Sequence, residues 1–299
     1  MKITLAKIGL LAKASFKIWF DRDPFRESAI IAYNAVFSLP GLLVVVVSLA
    51  GYFFGTEAVN GQLHRQISQV MGNSAADQLQ QMVLMASKSK HSVAASIFGI
   101  ATILIGATGV FVQLQKSLNI IWEVKATPGK SGIISFLKTR VFSFGLIVSI
   151  AFLLLIFLFL SSMLTVFSSW VQQHWSPSLL ILFQILNFIF SFGVIALLFG
   201  LMFKTLPDAK IKWHSVWVGA IATSLLFVIG KSLLGFYFGT ASPGSGYGAA
   251  GAVILILLWT SYSSMIVLFG AQFTKMYSEF YDGDVEASAN AVNQKDRVK

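Results

Sequence analysis

Lys231 is a cation placed inside an apolar run, 214–238, that carries no other charge. An ammonium in that setting is unfavourable unless it reaches water, headgroups or a partner. It lies seven residues from the run's end at Phe238, about 10 Å deep at 1.5 Å per residue. Two readings follow. The side chain snorkels to the nearer headgroup layer, or it turns inward toward Gln184 and Asn187 of the neighbouring apolar run, 179–203. The second arrangement makes an anion-attracting cavity suited to a phosphate-bearing ligand, since no carboxylate lies in any apolar run to neutralise the lysine. Four more polar side chains, Asn34, Gln113, Asn119 and Gln272, fall near the ends of apolar runs. There they can bond across helices or line an inner vestibule.

Other spacings look chemical and are not. Gly230-Lys231-Ser232 ends like a phosphate-binding loop, but Leu225 stands where the first glycine belongs and no strand precedes it. Gly244, Gly246 and Ala249 match a dinucleotide fingerprint without a βαβ unit around them. His64, His91, His174 and His214 are too scattered to hold a metal, and the chain has no cysteine. The expectation is no catalytic constellation, no metal and no cofactor.

The elements that must position these residues follow from composition. Of 299 residues 56% are hydrophobic and 11% charged, against about 25% charged in a soluble domain. Apolar runs fall at 29–55, 93–115, 141–163, 179–203, 214–238 and 251–274, each near the roughly 20 residues that cross a bilayer as helix. The expected fold is all-α, a six-transmembrane-helix bundle. Eighteen of the 22 Lys and Arg lie in residues 1–28, 116–140, 204–213 and beyond 274, and only Arg65, Lys88 and Lys90 occupy the opposite loops. Basic residues are retained on the cytoplasmic side, so both termini are expected inside. The net charge of +10 points to anionic headgroups at that face as partner, with nucleic acid the weaker reading. Six of the seven tryptophans sit at or beyond the rim of a run, and Trp259 is the exception.

Three flanking regions complete the division. Residues 1–28 form an amphipathic segment with Lys2, Lys13 and Lys17 on one side and Leu5, Ile8, Leu11, Phe16 and Trp19 on the other, suited to lying in the headgroup plane. The membrane domain covers 29–275, with an external loop at 56–92 read as two short helices separated by Gly72-Asn73-Ser74. Residues 276–299 are polar and expected to be a disordered cytoplasmic tail. Pro40, followed by Gly41, is expected to kink or break the first span. Gly99, Gly106, Gly109, Gly235 and Gly248 are expected to mark packing seams, for helices of this chain, a second copy or an envelope partner.

The stretch Gly106-Ala107-Thr108-Gly109-Val110-Phe111, continuing through Gln115, Leu118, Asn119 and Trp122, resembles the second-span signature of the YihY/BrkB family of bacterial inner-membrane proteins. So does Tyr247-Gly248-Ala249-Ala250-Gly251-Ala252, running on to Trp259 and Gly270-Ala271. Ser28-Ala29 to Ala32-Tyr33 with Ser38-Leu39-Pro40 resembles the first span, and Leu206-Pro207-Asp208 an inner loop. Two residues depart from the family pattern: Gln272 stands where glutamate is common, and Ser261 where an aromatic is frequent. The resemblance implies a six-helix inner-membrane protein. Family members carry three kinds of label: serum-resistance virulence factor, lipid or lipopolysaccharide movement, and ribonuclease BN. The absence of metal ligands and clustered carboxylates speaks against the nuclease label, and polar groups inside a bundle speak for a transporter or lipid-translocation role. A non-transporting envelope scaffold is the alternative.

Overall fold

A computed structural model describes residues 5–71, 109–126, 177–241, 251–288 and 291–293, with scattered positions between 73 and 84 and between 243 and 247. The described elements are α1 (Leu5–Asp21), α2 (Pro24–Phe54), α3 (Thr56–Met71), α4 (109–121), β1 (Val124–Ala126), α5 (Pro177–Thr205), α6 (Trp213–Ala241), α7 (Gly251–Asp282) and β2 (Ala291–Asn293). Three windows among them are long and apolar enough to cross a membrane: Phe188–Thr205, Trp213–Ala241 and Val253–Asp282. The third expected run, 141–163, and most of the second lie outside the described residues.

Local chemistry sets the boundaries. Asp23, in the left-handed conformation at φ 54°, caps α2 by accepting from the Arg26 backbone N–H, and Pro24 fills the first helical position, where a missing N–H costs nothing. The helix therefore starts five residues before the expected 29. At its other end Gly55, φ 84°, adopts a backbone other residues resist, and α3 begins at once. Pro40 denies a hydrogen bond to the Val36 carbonyl, yet α2 continues through it as one helix, so the break expected there does not occur.

The last helix, α7, is the hub: α1, α2 and α6 all pack against it, and α5 packs against α6. Where α6 crosses α7 the fit is reciprocal. A Cβ built on Gly219 would lie 1.8 Å from Oγ1 of Thr274, and one on Gly270 would lie 1.9 Å from Oγ1 of Thr223. Each threonine sits over the other helix's glycine and turns its hydroxyl back to its own helix, to the Gly219 and Gly270 carbonyls, at 2.7 Å in both cases. Further along, Gly230 makes room for Tyr262, whose Oη would be 2.6 Å from an added Cβ. Trp259 packs edge-on against Phe227, with centroids 6.1 Å apart, which accounts for the one tryptophan away from a rim.

A core cluster gathers Ile31, Leu114, Leu118, Ile121, Trp122, Phe199, Phe203, Ile211, Val216 and Leu268 at the end of the bundle expected to face the cytoplasm. A second joins α1 to α7 through Leu11, Phe273 and Tyr277. One face of α1 is thus committed to α7, and the opposite face exposes Leu10, Lys13, Lys17 and Phe20, while Phe16 at its border is exposed with its ring edge-on to Phe269 of α7 at 6.4 Å.

The end of the chain corrects the sequence reading. Instead of a disordered tail from 276, α7 continues to Asp282 and β2 pairs antiparallel with β1, Val124 opposite Asn293 and Ala126 opposite Ala291. Between them the chain follows the loop after α5: the Lys210 N–H donates to the Glu286 carbonyl at 2.8 Å and the Ser288 N–H to the Asp208 carbonyl at 2.9 Å. Backbone pairing needs no apolar period, so a polar stretch can be ordered this way. In the stretch expected to be external, α3 is followed by helical residues at 76–77 and 79–81. The His64 Nε2 to Asp77 Oδ1 contact of 2.8 Å holds them to α3, with Ala76 and Leu79 buried between.

Candidate functional site

Helix ends α1, α2 and α4 meet the side of α7 around a cleft of about 410 Å³. Its lining includes Trp19, Asp21, Arg22, Asp23, Arg26, Glu27, Ser117, Ile120 and Gln272. The turn at Arg22-Asp23, where α1 ends and α2 begins, places two guanidiniums and three carboxylates on the lining, with Asp23 and Arg26 exposed and Arg22 and Glu27 partly buried.

Gln272 supplies the deep wall. It is 1% exposed, and its Oε1 has no hydrogen-bond partner among the described residues. A buried acceptor left unpaired costs about 1–3 kcal/mol, so this atom marks a place where a donor is missing. The indole Nε1 of Trp19, also on the cleft wall, is likewise buried and unpaired.

The charged groups around the cleft are not equally free. Arg22 donates to the Ile120 carbonyl at 3.0 Å and to Glu123 Oε1 at 3.2 Å. Glu123, at φ 53°, ends α4 and also accepts from Lys275 at 2.7 Å, while Glu279 lies 3.5 Å from the same ammonium. Lys275 is thus a buried cation, 5% exposed, held between two carboxylates. Glu27 accepts from the Ser117 hydroxyl at 3.0 Å. Arg26 is the loose member: its side chain is 67% exposed, and its nearest carboxylates, Glu27 and Asp23, stand at 3.7 and 4.0 Å, too far for hydrogen bonds.

Beside the cleft, Asn119 and Asp208 interlock. Asn119 Nδ2 donates to Asp208 Oδ2 at 2.7 Å, and the Asp208 N–H donates to Asn119 Oδ1 at 2.8 Å. Gln115 approaches both carboxylate oxygens at 3.5 Å.

The residues selected from sequence are distributed as follows. Of the expected vestibule set, Gln272 lines the cleft, Asn119 is spent on Asp208, and Gln113 is half-buried on α4. Asn34 bonds its own helix, Nδ2 to the Ile30 carbonyl at 2.8 Å, with its Oδ1 3.6 Å from a Cβ placed on Gly109. Lys231 is exposed on α6. The side chains of Gln184 and Asn187 lie outside the described residues, as do Gly99, Gly106 and Gly248. Around Gly235 a Cβ would meet nothing within 4 Å. The sequence reading does not single out Arg22, Arg26, Glu27, Ser117, Glu123 or Lys275; Arg22, Arg26 and Lys275 enter it only as basic residues beyond the span ends, and Glu27, Ser117 and Glu123 carry no signal there. Among the described residues no three His, Asp or Glu converge as a metal site.

Comparison with known proteins fits this picture. The chain is 26% identical over 268 residues to a "UPF0761 membrane protein" of Saccharophagus degradans, covering 88% of this chain and 58% of that one. It is 26% identical to its namesake in Tolumonas auensis, covering 88% and 83%. A third, from Mannheimia succiniciproducens, is 24% identical over 96% and 97%. The chain thus spans little more than half of the first relative's length. No solved structure matches it. The family model described as virulence factor BrkB matches residues 17–295, from the end of α1 to β2, and the chain belongs to that family of membrane proteins.

Proposed function

We propose that this protein is a multi-pass inner-membrane protein of the cell envelope, with six spans and cytoplasmic termini, that translocates a lipid or another anionic amphiphile. The observation that carries the reading is Gln272, whose amide oxygen is buried and unpaired among the described residues on the wall of a 410 Å³ cleft, with the exposed, loosely paired guanidinium of Arg26 also on its lining. A bound headgroup that donates to Gln272 removes the cost of the missing hydrogen bond. Exposed apolar residues Phe20, Phe25 and Ile120 adjoin the charged ones in sequence, the combination an amphiphile at the headgroup level requires. The eighteen-to-three split of basic residues supports the orientation. On the opposite side, Lys231 with Gln184 and Asn187 remains the proposed outer anion contact, and its exposure supports direct contact with outer headgroups.

The test is reconstitution into liposomes carrying a fluorescent phospholipid. Transbilayer movement above that of protein-free vesicles, lost in Arg26→Ala, is expected. Flux equal to empty vesicles, together with a co-purifying partner, favours the scaffold; metal-dependent cleavage of precursor tRNA favours the nuclease.

A further inference from the structure

Resting on the reading of the cleft as a headgroup site, we propose that it is built for a zwitterionic headgroup with a primary ammonium next to its phosphate, as in a phosphoethanolamine, and not for an anion alone. The charges decide this. Asp21, Asp23 and Glu27 line the cleft against only Arg22 and Arg26, one more carboxylate than guanidinium. Arg22 is already committed to Glu123 and the Ile120 carbonyl, which leaves Arg26, only loosely paired with Glu27 at 3.7 Å and Asp23 at 4.0 Å, as the less committed of the two guanidiniums among the described lining residues. A ligand bearing negative charge alone would enter a cleft with excess negative charge, and like charges in partly desolvated surroundings repel.

The second observation is independent of the charge count. Among the described residues the Gln272 Oε1 is a buried acceptor without a partner, a position suited to an N–H or O–H donor. An ammonium supplies three donors, enough for Gln272 and for a carboxylate such as Glu27, whose Oε2 already holds the Ser117 hydroxyl. A trimethylammonium has the same charge and no N–H at all, so it leaves Gln272 unpaired. The cleft therefore distinguishes ethanolamine from choline by hydrogen bonding and ethanolamine from glycerol by charge.

The experiment is thermal unfolding of the purified protein in detergent with short-chain phosphatidylethanolamine, phosphatidylcholine or phosphatidylglycerol, and with free phosphoethanolamine. The expected result is the largest rise in Tm with phosphatidylethanolamine, at least twice that with either other lipid. Gln272→Leu and Glu27→Gln should each reduce that rise to the level seen with phosphatidylcholine. A rise by free phosphoethanolamine as large as the lipid's supports the headgroup chemistry and makes the source a soluble phosphoester. Equal rises with phosphatidylethanolamine and phosphatidylcholine, or a larger one with phosphatidylglycerol, overturn the proposal. If Gln272→Leu does not fold, the ranking with the parent protein and Glu27→Gln still decide. Lipid flux is read separately: flux without headgroup preference removes this inference and leaves translocation standing, whereas preference without flux does the reverse.

Discussion

Thr223 and Gly270 occupy one space between α6 and α7: the threonine's Oγ1, Cβ and Cγ2 all lie within 3 Å of where a Cβ on Gly270 would stand. The same relation holds in reverse for Thr274 and Gly219, so the crossing has two interlocked contacts of one kind. A threonine is stiff at χ1, and no rotation about χ1 moves its Cβ, which for Thr223 by itself stands 2.9 Å from where a Cβ on Gly270 would lie.

Gly270→Ala should therefore lower stability by about 1–3 kcal/mol through overpacking. Adding Thr223→Ala to Gly270→Ala should restore part of the loss, a non-additivity that a double-mutant cycle of detergent-phase melts would measure. Gly235→Ala, where a Cβ meets nothing, should melt like the parent. Additive losses at 223 and 270 would contradict the interlock.

Asn119→Ala should cost about 1–3 kcal/mol, because it strips Asp208 of its short hydrogen bond and leaves the Asp208 N–H without its acceptor. Asn119→Asp should be worse, since two carboxylates would then face each other. Melting temperatures of the two variants, ranked against the parent, check this order.

The Glu123–Lys275 pair predicts an asymmetry. Glu123→Gln leaves a buried ammonium with Glu279 at 3.5 Å, whereas Lys275→Met leaves Glu123, 31% exposed at its side chain, still paired with Arg22. Removing the partner of a buried charge is the costlier change. Thermal unfolding should show Glu123→Gln to be less stable than Lys275→Met; the opposite order would mean that Lys275 is hydrated.

Lys231→Met should remain folded and keep most lipid flux if the exposed ammonium only anchors the helix in the outer headgroups. A stable, inactive Met variant partly rescued by Lys231→Arg would instead establish the inward anion contact. Paired flux and melting measurements separate the two.

Orientation is directly testable because the chain has no cysteine, so a single introduced thiol reports without background. Ser288→Cys and Arg65→Cys should label from opposite sides, the first only after the cytoplasmic face is opened to a membrane-impermeant maleimide. Labelling of both from outside intact cells would refute cytoplasmic termini.

The long helices were legible because each needs about 20 apolar residues and little else. Their finer features depend on partners that a linear reading does not supply. Asp23-Pro24 is a cap and first-turn signal visible in the sequence, yet apolar content alone started the span at 29. Gly219 and Gly270 are single glycines without period; only the facing threonines give them meaning. The strands are three residues each, with partners at opposite ends of the polar segments, so neither has a pattern of its own. Gln272 is visible as a polar residue near a span end, whereas Arg22 and Lys275 register only as loop basic charge and the Glu123 that joins them has no pattern to mark it.

The pairing of Val124 with Asn293 also orders the protein's assembly in time. At 5–20 residues per second, β2 emerges roughly 10 to 30 s after β1 has been synthesised. Through that interval β1 stays without its strand partner while α5, α6 and α7 are made. A chain interrupted before Glu286 has its helices but lacks the partners of both the Asp208 loop and β1, so quality-control proteases should meet an open, cleavable stretch around Lys125. The clasp thus makes synthesis of residues 286–293 a condition for closing this end of the bundle.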